Sequence, residues 1–181
     1  MKNIIKQKPK LFFITGISGS GKTTVARKLC ESGEIVFDSK IQKGLFYFSD
    51  SNGNRPDDYQ PKNKEWMDTY KWILNKPMFD DLVKQNKDAK RLFLCGGSED
   101  LRQYWPIGEK VFLLEVNANT MINRLNREDR DNSFGKDKQT QKILIERIER
   151  FQKKQITASA IPIDATGPID TVVADILSMA N

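Results

Sequence analysis

The sequence predicts a single α/β domain in which helices flank a parallel sheet. Short apolar runs alternate along the chain with amphipathic segments, which is the pattern of such a sheet. The 181 residues are 38% hydrophobic and 30% charged, a composition that supports one buried core. The chain shows no internal repeat and no sign of a second domain. We therefore expect residues 1–181 to form one domain.

Five apolar runs are predicted as strands. Each is short and bounded by polar or glycine-containing segments, as expected for the buried strands of a parallel sheet. The predicted strands are residues 10–15, 34–37, 91–95, 110–116 and 160–163.

Three segments between the strands show the apolar spacing of helices. Residues 22–32 carry Val25, Ala26 and Leu29 on one face, and Gly33 follows where a helix C-terminal cap belongs. The other two helices are predicted from apolar residues at roughly helical spacing, namely Trp66, Tyr70, Ile73 and Leu74 in one and Ile143, Ile145, Ile148 and Phe151 in the other.

The composition excludes several kinds of chemistry. The chain has no histidine, so a Ser-His-Asp triad and any other imidazole base are excluded. Cys30 and Cys95 lie in apolar contexts without the spacing of metal ligands. The longest apolar runs are far shorter than the roughly 18 residues that a membrane span needs, and no signal-peptide core follows the lysine-rich start. We expect a cytoplasmic protein that does not contact membranes.

The net charge of +6 is concentrated in two segments. Residues 1–10 contain four lysines and no acidic residue, and residues 121–155 contain ten basic and six acidic residues. Such clusters favour anionic ligands, which could be the phosphates of a small molecule or a nucleic-acid backbone. The lysine-rich start could equally be a solubilising tail.

The most specific motif follows the first predicted strand and opens the first predicted helix. Its sequence is Gly16-Ile17-Ser18-Gly19-Ser20-Gly21-Lys22-Thr23, which matches G-x-x-x-x-G-K-[ST] and continues into Thr24. Glycines let the backbone N–H groups converge on a phosphate chain, and the helix N-terminus adds its partial positive charge. We expect these nine residues to bind a nucleotide.

This strand, loop and helix resemble the P-loop NTPases. Four further features are similar to the small-molecule kinases of that family, a branch that includes nucleotide, nucleoside, shikimate and gluconate kinases. These features are Asp38 after the second strand, the Gly96-Gly97 turn after the third, the arginines Arg124, Arg127 and Arg130 before a polar stretch, and the strand at 161–166 followed by Pro168 and a closing helix.

The resemblance implies a three-layer P-loop NTPase fold with a five-stranded parallel sheet in the order 2-3-1-4-5. It implies an acceptor-binding insert at residues 40–88 and a short lid at residues 128–138. It also implies that ATP and Mg²⁺ are the cofactors. Lys22 would reach the β- and γ-phosphates, and the Thr23 hydroxyl would coordinate Mg²⁺.

Asp38 is the candidate that faces the acceptor. The resemblance implies that its carboxylate accepts a hydrogen bond from the acceptor hydroxyl or holds Mg²⁺ through water. The alternative is that Asp38 caps a following helix. Most ATPases carry a Walker B aspartate after the third strand, and this chain has none there, which leaves Mg²⁺ to Thr23, the phosphates and Asp38.

Arg124, Arg127 and Arg130 are candidates for neutralising charge on the transferred phosphoryl group. Their spacing of three would place them on one ridge of a continuing helix, from which a closing lid would carry them to the phosphates. The alternative is a solvated face of ion pairs, because acidic residues lie between them. Arg147 resembles the arginine after the lid that contacts phosphates in nucleotide kinases.

The acceptor site is predicted with the least detail. Gly96 and Gly97 would let an acceptor approach backbone N–H groups at the carboxyl end of a strand, or they could serve only as a turn. The aromatic residues of the insert could stack on a base, although Trp66, Tyr70 and Leu74 favour a core-facing helical stripe. Arg55, Lys62 and Arg102 could hold an acceptor phosphate or carboxylate.

We therefore predict an ATP-dependent kinase that acts on a small molecule, with a nucleoside or nucleotide favoured. One alternative is a polynucleotide 5′-end kinase, suggested by the basic charge. The other is a nucleotide-dependent switch, because Asp50-Ser51-Asn52-Gly53 matches D-x-x-G. The segment at 86–89 does not match the guanine-reading N-K-x-D pattern, which argues against the switch.

Overall fold

The computed structural model describes residues 8–60, 64–98, 100–130 and 134–181. The described residues form seven strands, six α-helices and one 3-10 helix. The strands are β1 (Lys10–Thr15), β2 (Ile35–Asp38), β3 (Phe46–Ser49), β4 (Lys71–Leu74), β5 (Arg91–Cys95), β6 (Lys110–Glu115) and β7 (Ile161–Asp164). The α-helices are α1 (Lys22–Glu31), α2 (Lys64–Thr69), α3 (Lys76–Gln85), α4 (Ala118–Leu125), α5 (Lys138–Thr157) and α6 (Ile169–Met179), and the 3-10 helix spans Leu101–Ile107.

The main sheet has five parallel strands in the order β2-β5-β1-β6-β7. These are the five predicted strands, so the predicted order 2-3-1-4-5 is confirmed. β1 is the central strand and pairs with β5 on one side and β6 on the other. Because the strands are parallel, the segments that follow β1, β2 and β5 lie at the same edge of the sheet.

The two faces of the sheet bury separate cores, which gives the domain three layers. Phe12 and Ile14 of β1 point to one face, and Leu11 and Phe13 point to the other. On the first face, the ring of Phe12 stacks on those of neighbouring strands, with centroids 5.3 Å from Phe93 and 6.1 Å from Phe112. The alternation follows from the two-residue period of a strand.

Helices cover both faces. On the Phe12 face, α1 contributes the predicted stripe of Val25, Ala26 and Leu29, and α6 packs beside it. Gly33 has a φ of 84° and ends α1 as predicted. On the Phe13 face, the core is completed by Phe79 of α3 and by residues of the insert and the 3-10 helix.

The helix predicted through Trp66, Tyr70, Ile73 and Leu74 is wrong. α2 ends at Thr69, and the residues from Lys71 to Leu74 form β4, which pairs with β3 in a separate antiparallel sheet. The spacing of these apolar residues fits a short helix followed by a strand equally well. The aromatic and β-branched side chains of Trp72 and Ile73 favour the strand.

The helix predicted around residues 143–151 is present as part of α5, but its buried face differs from the prediction. Ile143 and Ile145 are 38% and 44% exposed. Ile148 is buried and Phe151 is partly buried, as predicted, and Leu144 is buried in place of the two exposed isoleucines. The core contact of α5 is therefore a narrow stripe, and two isoleucines lie outside it.

The predicted lid lies between α4 and α5. Residues 131–133 of that segment are outside the described residues, and residues 126–130 and 134–137 contain no helix. Asp137 caps α5 by accepting a hydrogen bond from the Thr140 backbone N–H at 2.8 Å. Among the described helices, none is long and apolar enough to cross a membrane.

Candidate active site

The glycine loop joins the end of β1 to the start of α1. Gly19 and Gly21 have φ angles of 82° and 100°, in the left-handed region that favours glycine. Gly21 is the residue before α1, so the loop ends on the free N–H groups of the helix. This geometry is that of an anion-binding loop at a helix N-terminus.

Lys22 folds back over the loop. Its ammonium donates hydrogen bonds to the carbonyl oxygens of Gly16 at 2.7 Å and Ile17 at 3.0 Å. Burial lowers the pKa of Lys22 to about 8, although the nearby Asp38 carboxylate partly counteracts that shift. The ammonium therefore lies at the loop and away from bulk water.

Asp38 ends β2 beside the loop and is only 3% exposed. Burial raises the pKa of its carboxyl, and the Lys40 N–H, the Lys22 charge and the nearby Thr23 hydroxyl oppose that rise. The Lys40 N–H donates to the Asp38 carboxylate at 2.8 Å. Thr23, Lys22 and Asp38 thus form one cluster of interacting polar groups.

The alternative role of Asp38 as a helix cap is wrong, since no helix begins in residues 39–45, all of which are described. Gln42 instead fixes this end of β2. Its side-chain oxygen accepts from the Asp38 N–H at 2.7 Å, and its amide nitrogen donates to the Val36 carbonyl at 3.3 Å. No sequence motif singles out Gln42, because its role depends on the turn that brings it back to the strand.

The two glycines after β5 have different neighbours. A Cβ at Gly97 would lie 3.3 Å from the Gly16 carbonyl oxygen and 3.7 Å from the Lys22 ammonium. A Cβ at Gly96 would clash with the ring of Phe46. Gly97 therefore faces the glycine loop, while the insert packs against Gly96.

Two of the three candidate arginines contact the loop. Arg124 donates to the Ser20 carbonyl at 3.0 Å and to the Ala165 carbonyl at 2.7 Å. Arg130 donates to the Ser18 hydroxyl at 3.3 Å and to the Phe134 carbonyl at 2.6 Å. Burial lowers the pKa of both guanidinium groups from their usual high value.

The predicted helical ridge of arginines is wrong. α4 ends at Leu125, so Arg127 and Arg130 lie beyond the helix that carries Arg124. Arg127 is 65% exposed and pairs with Asp129 at 2.7 Å. Arg147 is exposed on α5, and its side chain forms no hydrogen bond or ion pair with any described residue.

These residues fit a phosphate chain and a magnesium ion. Lys22, Arg124 and Arg130 place three cationic groups on one short loop, where a polyphosphate would bring compensating negative charge. Thr23 and Asp38 offer a hydroxyl and a carboxylate, which are the oxygen ligands that Mg²⁺ prefers. The described residues contain no cluster of three or more His, Cys, Asp or Glu that could hold a metal ion.

A model of the family described as AAA domain matches residues 13–149. The chain belongs to this family. The match spans the glycine loop, Asp38, the insert, the arginines and most of α5.

Two solved structures show the same fold as this AAA-domain protein. A shikimate kinase from Acinetobacter baumannii aligns with a TM-score of 0.60 and 16% identity, covering 94% of this chain and 92% of that chain. A deoxyadenosine kinase from M. mycoides aligns with a TM-score of 0.54 and 15% identity, covering 93% of this chain and 98% of that chain. Comparison with curated proteins gives no significant match.

The aromatic residues of the insert in this AAA-domain protein contact one another. The ring centroid of Phe48 is 4.9 Å from that of Trp66 and 4.8 Å from that of Trp72. Tyr59 and Tyr70 extend the same cluster through contacts with Trp66. These rings form a small core of the insert, although they do not form the single helical stripe that was predicted.

The position of a Walker B aspartate is taken by Cys95 at the end of β5. Burial raises the pKa of this thiol well above its usual value, so it stays protonated at neutral pH. A buried neutral thiol is a poor ligand for Mg²⁺, which prefers oxygen. The roles of Thr23 and Asp38 as Mg²⁺ ligands stay a prediction from the sequence.

Proposed function

We propose that this AAA-domain protein transfers the γ-phosphate of ATP to a small-molecule acceptor, with a nucleoside or nucleotide favoured. The observation that carries the proposal is the position of Asp38. Its buried carboxylate interacts with both Lys22 and Thr23, directly beside the glycine loop. A kinase needs such a carboxylate next to the transferred phosphoryl group, where it can accept the proton of an acceptor hydroxyl.

Each group at the loop has a distinct role in this proposal. The loop N–H groups and Lys22 bind the phosphates, for which Lys22 exchanges its bonds to the Gly16 and Ile17 carbonyls. Thr23 and Asp38 would hold Mg²⁺, which neutralises phosphate charge when it is bound. Arg130 supplies positive charge beside Ser18 and could stabilise the transferring phosphoryl group.

Arg124 has a supporting role in this proposal, because both of its hydrogen bonds end on backbone carbonyls. It ties the loop at Ser20 to the segment after β7 at Ala165. Arg127 would have to leave Asp129 to reach the loop. Arg147 would act only if the lid and acceptor approach α5.

The acceptor class is supported by two observations. The aromatic insert lies against Gly96 through Phe46, next to the carboxyl ends of the central strands, where acceptors approach in open α/β folds. One of the similar structures is a deoxyadenosine kinase, while the other is a shikimate kinase. We therefore test nucleosides and nucleoside monophosphates first and hydroxy acids next.

The switch alternative has less support. Asp50 of the D-x-x-G match accepts from the backbone N–H groups of Asn52 at 2.9 Å and Asn54 at 2.8 Å. Its carboxylate thus closes the loop after β3, which belongs to the separate antiparallel sheet. This local role explains the match without a nucleotide.

The test is ADP release from Mg-ATP across a panel of nucleosides, nucleoside monophosphates, shikimate-like acids and sugar acids. Lys22→Ala is the inactive variant, and Lys28→Ala is the matched control, because Lys28 lies on the same helix but pairs with Asp170 at the surface. We expect one acceptor class to stimulate ADP release and Lys22→Ala to abolish the stimulation, while Lys28→Ala retains it.

Three outcomes contradict the proposal. If no acceptor stimulates turnover although ATP binds, the protein is a nucleotide-binding module or acts on polynucleotide ends. Stimulation by a single-stranded oligonucleotide with a free 5′-hydroxyl, but by no small molecule, favours the polynucleotide kinase. Unchanged turnover in Lys22→Ala would show that the glycine loop is not the site of the reaction.

A further inference from the structure

A second concentration of positive charge lies away from the glycine loop, between the 3-10 helix and the C-terminal half of α5. It surrounds a cavity of about 480 Å³, which we call the basic groove. Its walls are formed by Arg102, Arg150, Lys153, Lys154, Thr157 and Ala158. Arg102, which is predicted as a possible contact of an acceptor phosphate or carboxylate, lines this groove and not the glycine loop. Lys22, Asp38 and the candidate arginines near the loop do not line it.

The cations of the basic groove come from two elements and lack acidic partners. Arg102 belongs to the 3-10 helix, and the other three cations belong to α5. No carboxylate lines the groove. The side chains of Arg150, Lys153 and Lys154 form no ion pair with any described carboxylate, although Glu149 lies four residues before Lys153.

Arg102 is a fixed part of the wall. Its guanidinium donates to the Lys154 carbonyl at 2.7 Å and lies 5.6 Å from the centre of the Trp105 ring. These contacts hold one cation in place in the ligand-free protein, so a bound anion would not have to order it.

A second cavity of about 400 Å³ adjoins the basic groove and shares Arg102 and Ala158 with it. Its walls include Trp105 and Pro106, which add flat apolar surface, and the charged side chains of Glu109 and Lys110. It also reaches Gly108 and Ser159, which precede β6 and β7. This second cavity therefore opens at the edge of the sheet opposite the glycine loop.

Helix electrostatics alone do not explain the basic groove. Lys154 lies in the last turn of α5, where a cation interacts favourably with the helix dipole. Arg150 lies two turns before the end of the helix, and Arg102 approaches from another element. Four unneutralised cations around one cavity repel one another, and an anion would relieve that repulsion.

We propose that the basic groove binds the phosphate chain of a nucleoside phosphate, whose planar base lies in the adjoining cavity against Trp105. The first cavity supplies cations for the phosphates, and Trp105 and Pro106 of the second supply flat faces for the base, which matches the two halves of such a ligand. The groove accounts for the basic residues near the end of the 121–155 segment, which the active site does not use. The proposal does not depend on the kinase activity.

The experiment follows the indole N–H of Trp105 by nitrogen-15 NMR, with the signal assigned by Trp105→Phe. That N–H is buried and makes no hydrogen bond with any described residue, so its signal reports changes in the adjoining cavity. ADP and inorganic pyrophosphate are the probes. The Lys22→Ala variant separates this site from the glycine loop.

We expect ADP to shift the Trp105 signal in the wild type and in Lys22→Ala, with pyrophosphate giving a smaller shift. Arg150→Glu/Lys153→Glu should weaken ADP binding at this site by about tenfold or more. Lys84→Glu/Lys87→Glu, which makes the same charge change on exposed residues near the end of α3, should leave the binding unchanged. Arg150→Gln/Lys153→Gln provides a milder variant and should give an intermediate loss.

Four results would overturn the proposal. The Trp105 signal could stay unchanged up to about 10 mM ADP. The shift could disappear in Lys22→Ala, which would assign it to the glycine loop. Both α5 double variants could bind ADP as the wild type does. A single-stranded oligonucleotide could shift the signal more strongly than ADP, with an affinity that falls steeply with salt, which would assign the groove to a nucleic-acid backbone.

Discussion

The Lys22 ammonium lies folded onto its own loop, and this position predicts an unusual dependence of stability on pH. Its pKa is lowered from 10.5 to about 8, chiefly by burial. Between those two values the unfolded chain carries a proton that the folded chain has lost. The free energy of unfolding therefore rises with pH across this window. Below pH 8 Lys22 is protonated in both states, and the folded protein bears the full cost of burying the charged ammonium.

The size of the effect follows from the shift. A pKa shift of this size lowers the free energy of unfolding by about 3 kcal/mol when Lys22 is protonated, and most of this cost is relieved between pH 7 and pH 10. Lys22 is only partly buried as a residue, and solvent near its stem reduces the expected effect to about 2 kcal/mol. Lys22→Met keeps the length of the side chain and removes the titrating group.

The assay is urea unfolding of the wild type and of Lys22→Met at pH 7 and pH 10, without nucleotide. The difference between the two proteins cancels the titration of the groups that do not interact with Lys22. We expect the stability of the wild type to gain about 2 kcal/mol relative to the variant as the pH rises. Lys28→Met serves as the control, because Lys28 pairs with Asp170 at the surface. A relative stability that is constant or falls with pH would show that the ammonium is not desolvated in the folded protein.

Two further predictions concern the site. Gly96→Ala should lower the free energy of unfolding by about 1–3 kcal/mol in urea unfolding, since its Cβ would clash with Phe46. Gly167→Ala, with no atom within 4 Å of its Cβ, should not destabilise the protein, and equal effects of the two substitutions would contradict the packing argument. Arg130→Ala should lower the phosphotransfer rate by about 100-fold and by much more than Arg127→Ala does, because Arg130 contacts the loop. The reverse ranking in steady-state kinetics would show that Arg127 leaves its ion pair to act.

The parallel sheet could be predicted because its strands are fully buried. Phe12, Leu92 and Phe112 belong to continuous apolar runs, and such runs are typical of strands covered on both faces. The glycine loop could be predicted because its spacing is fixed by backbone geometry at Gly19 and Gly21. In both cases the constraint is local, so the sequence carries it directly.

The insert and the lid arginines could not be predicted in the same way. β4 forms only because β3 pairs with it, and the apolar spacing from Trp66 to Leu74 is compatible with a helix until that partner is known. The spacing of the arginines assumed that α4 continues, yet it ends at Leu125. The pairing of β3 with β4 decides the first case, and the end of α4 decides the second. The hydrogen bonds of Gln42 to the end of β2 are local, but they depend on a turn that no motif marks.

Lys22 and Arg124 both donate hydrogen bonds to carbonyl oxygens of the glycine loop, but their roles in phosphate binding differ. The bonds of Lys22 must break when it binds a phosphate, whereas those of Arg124 can stay. Arg124 donates to the backbone carbonyls of Ser20 and Ala165, which lie on separate segments. Breaking these bonds would remove this link between the glycine loop and the segment after β7. The Lys22 ammonium instead donates to the carbonyl oxygens of Gly16 and Ile17 within the loop itself. Those oxygens can accept hydrogen bonds from water when the ammonium moves to a phosphate. A phosphate chain offers Lys22 ionised acceptors in place of neutral carbonyls, which adds the attraction between opposite charges to the hydrogen bonds. We therefore expect phosphate binding to change the contacts of the Lys22 side chain and to keep the Arg124 bridge between Ser20 and Ala165.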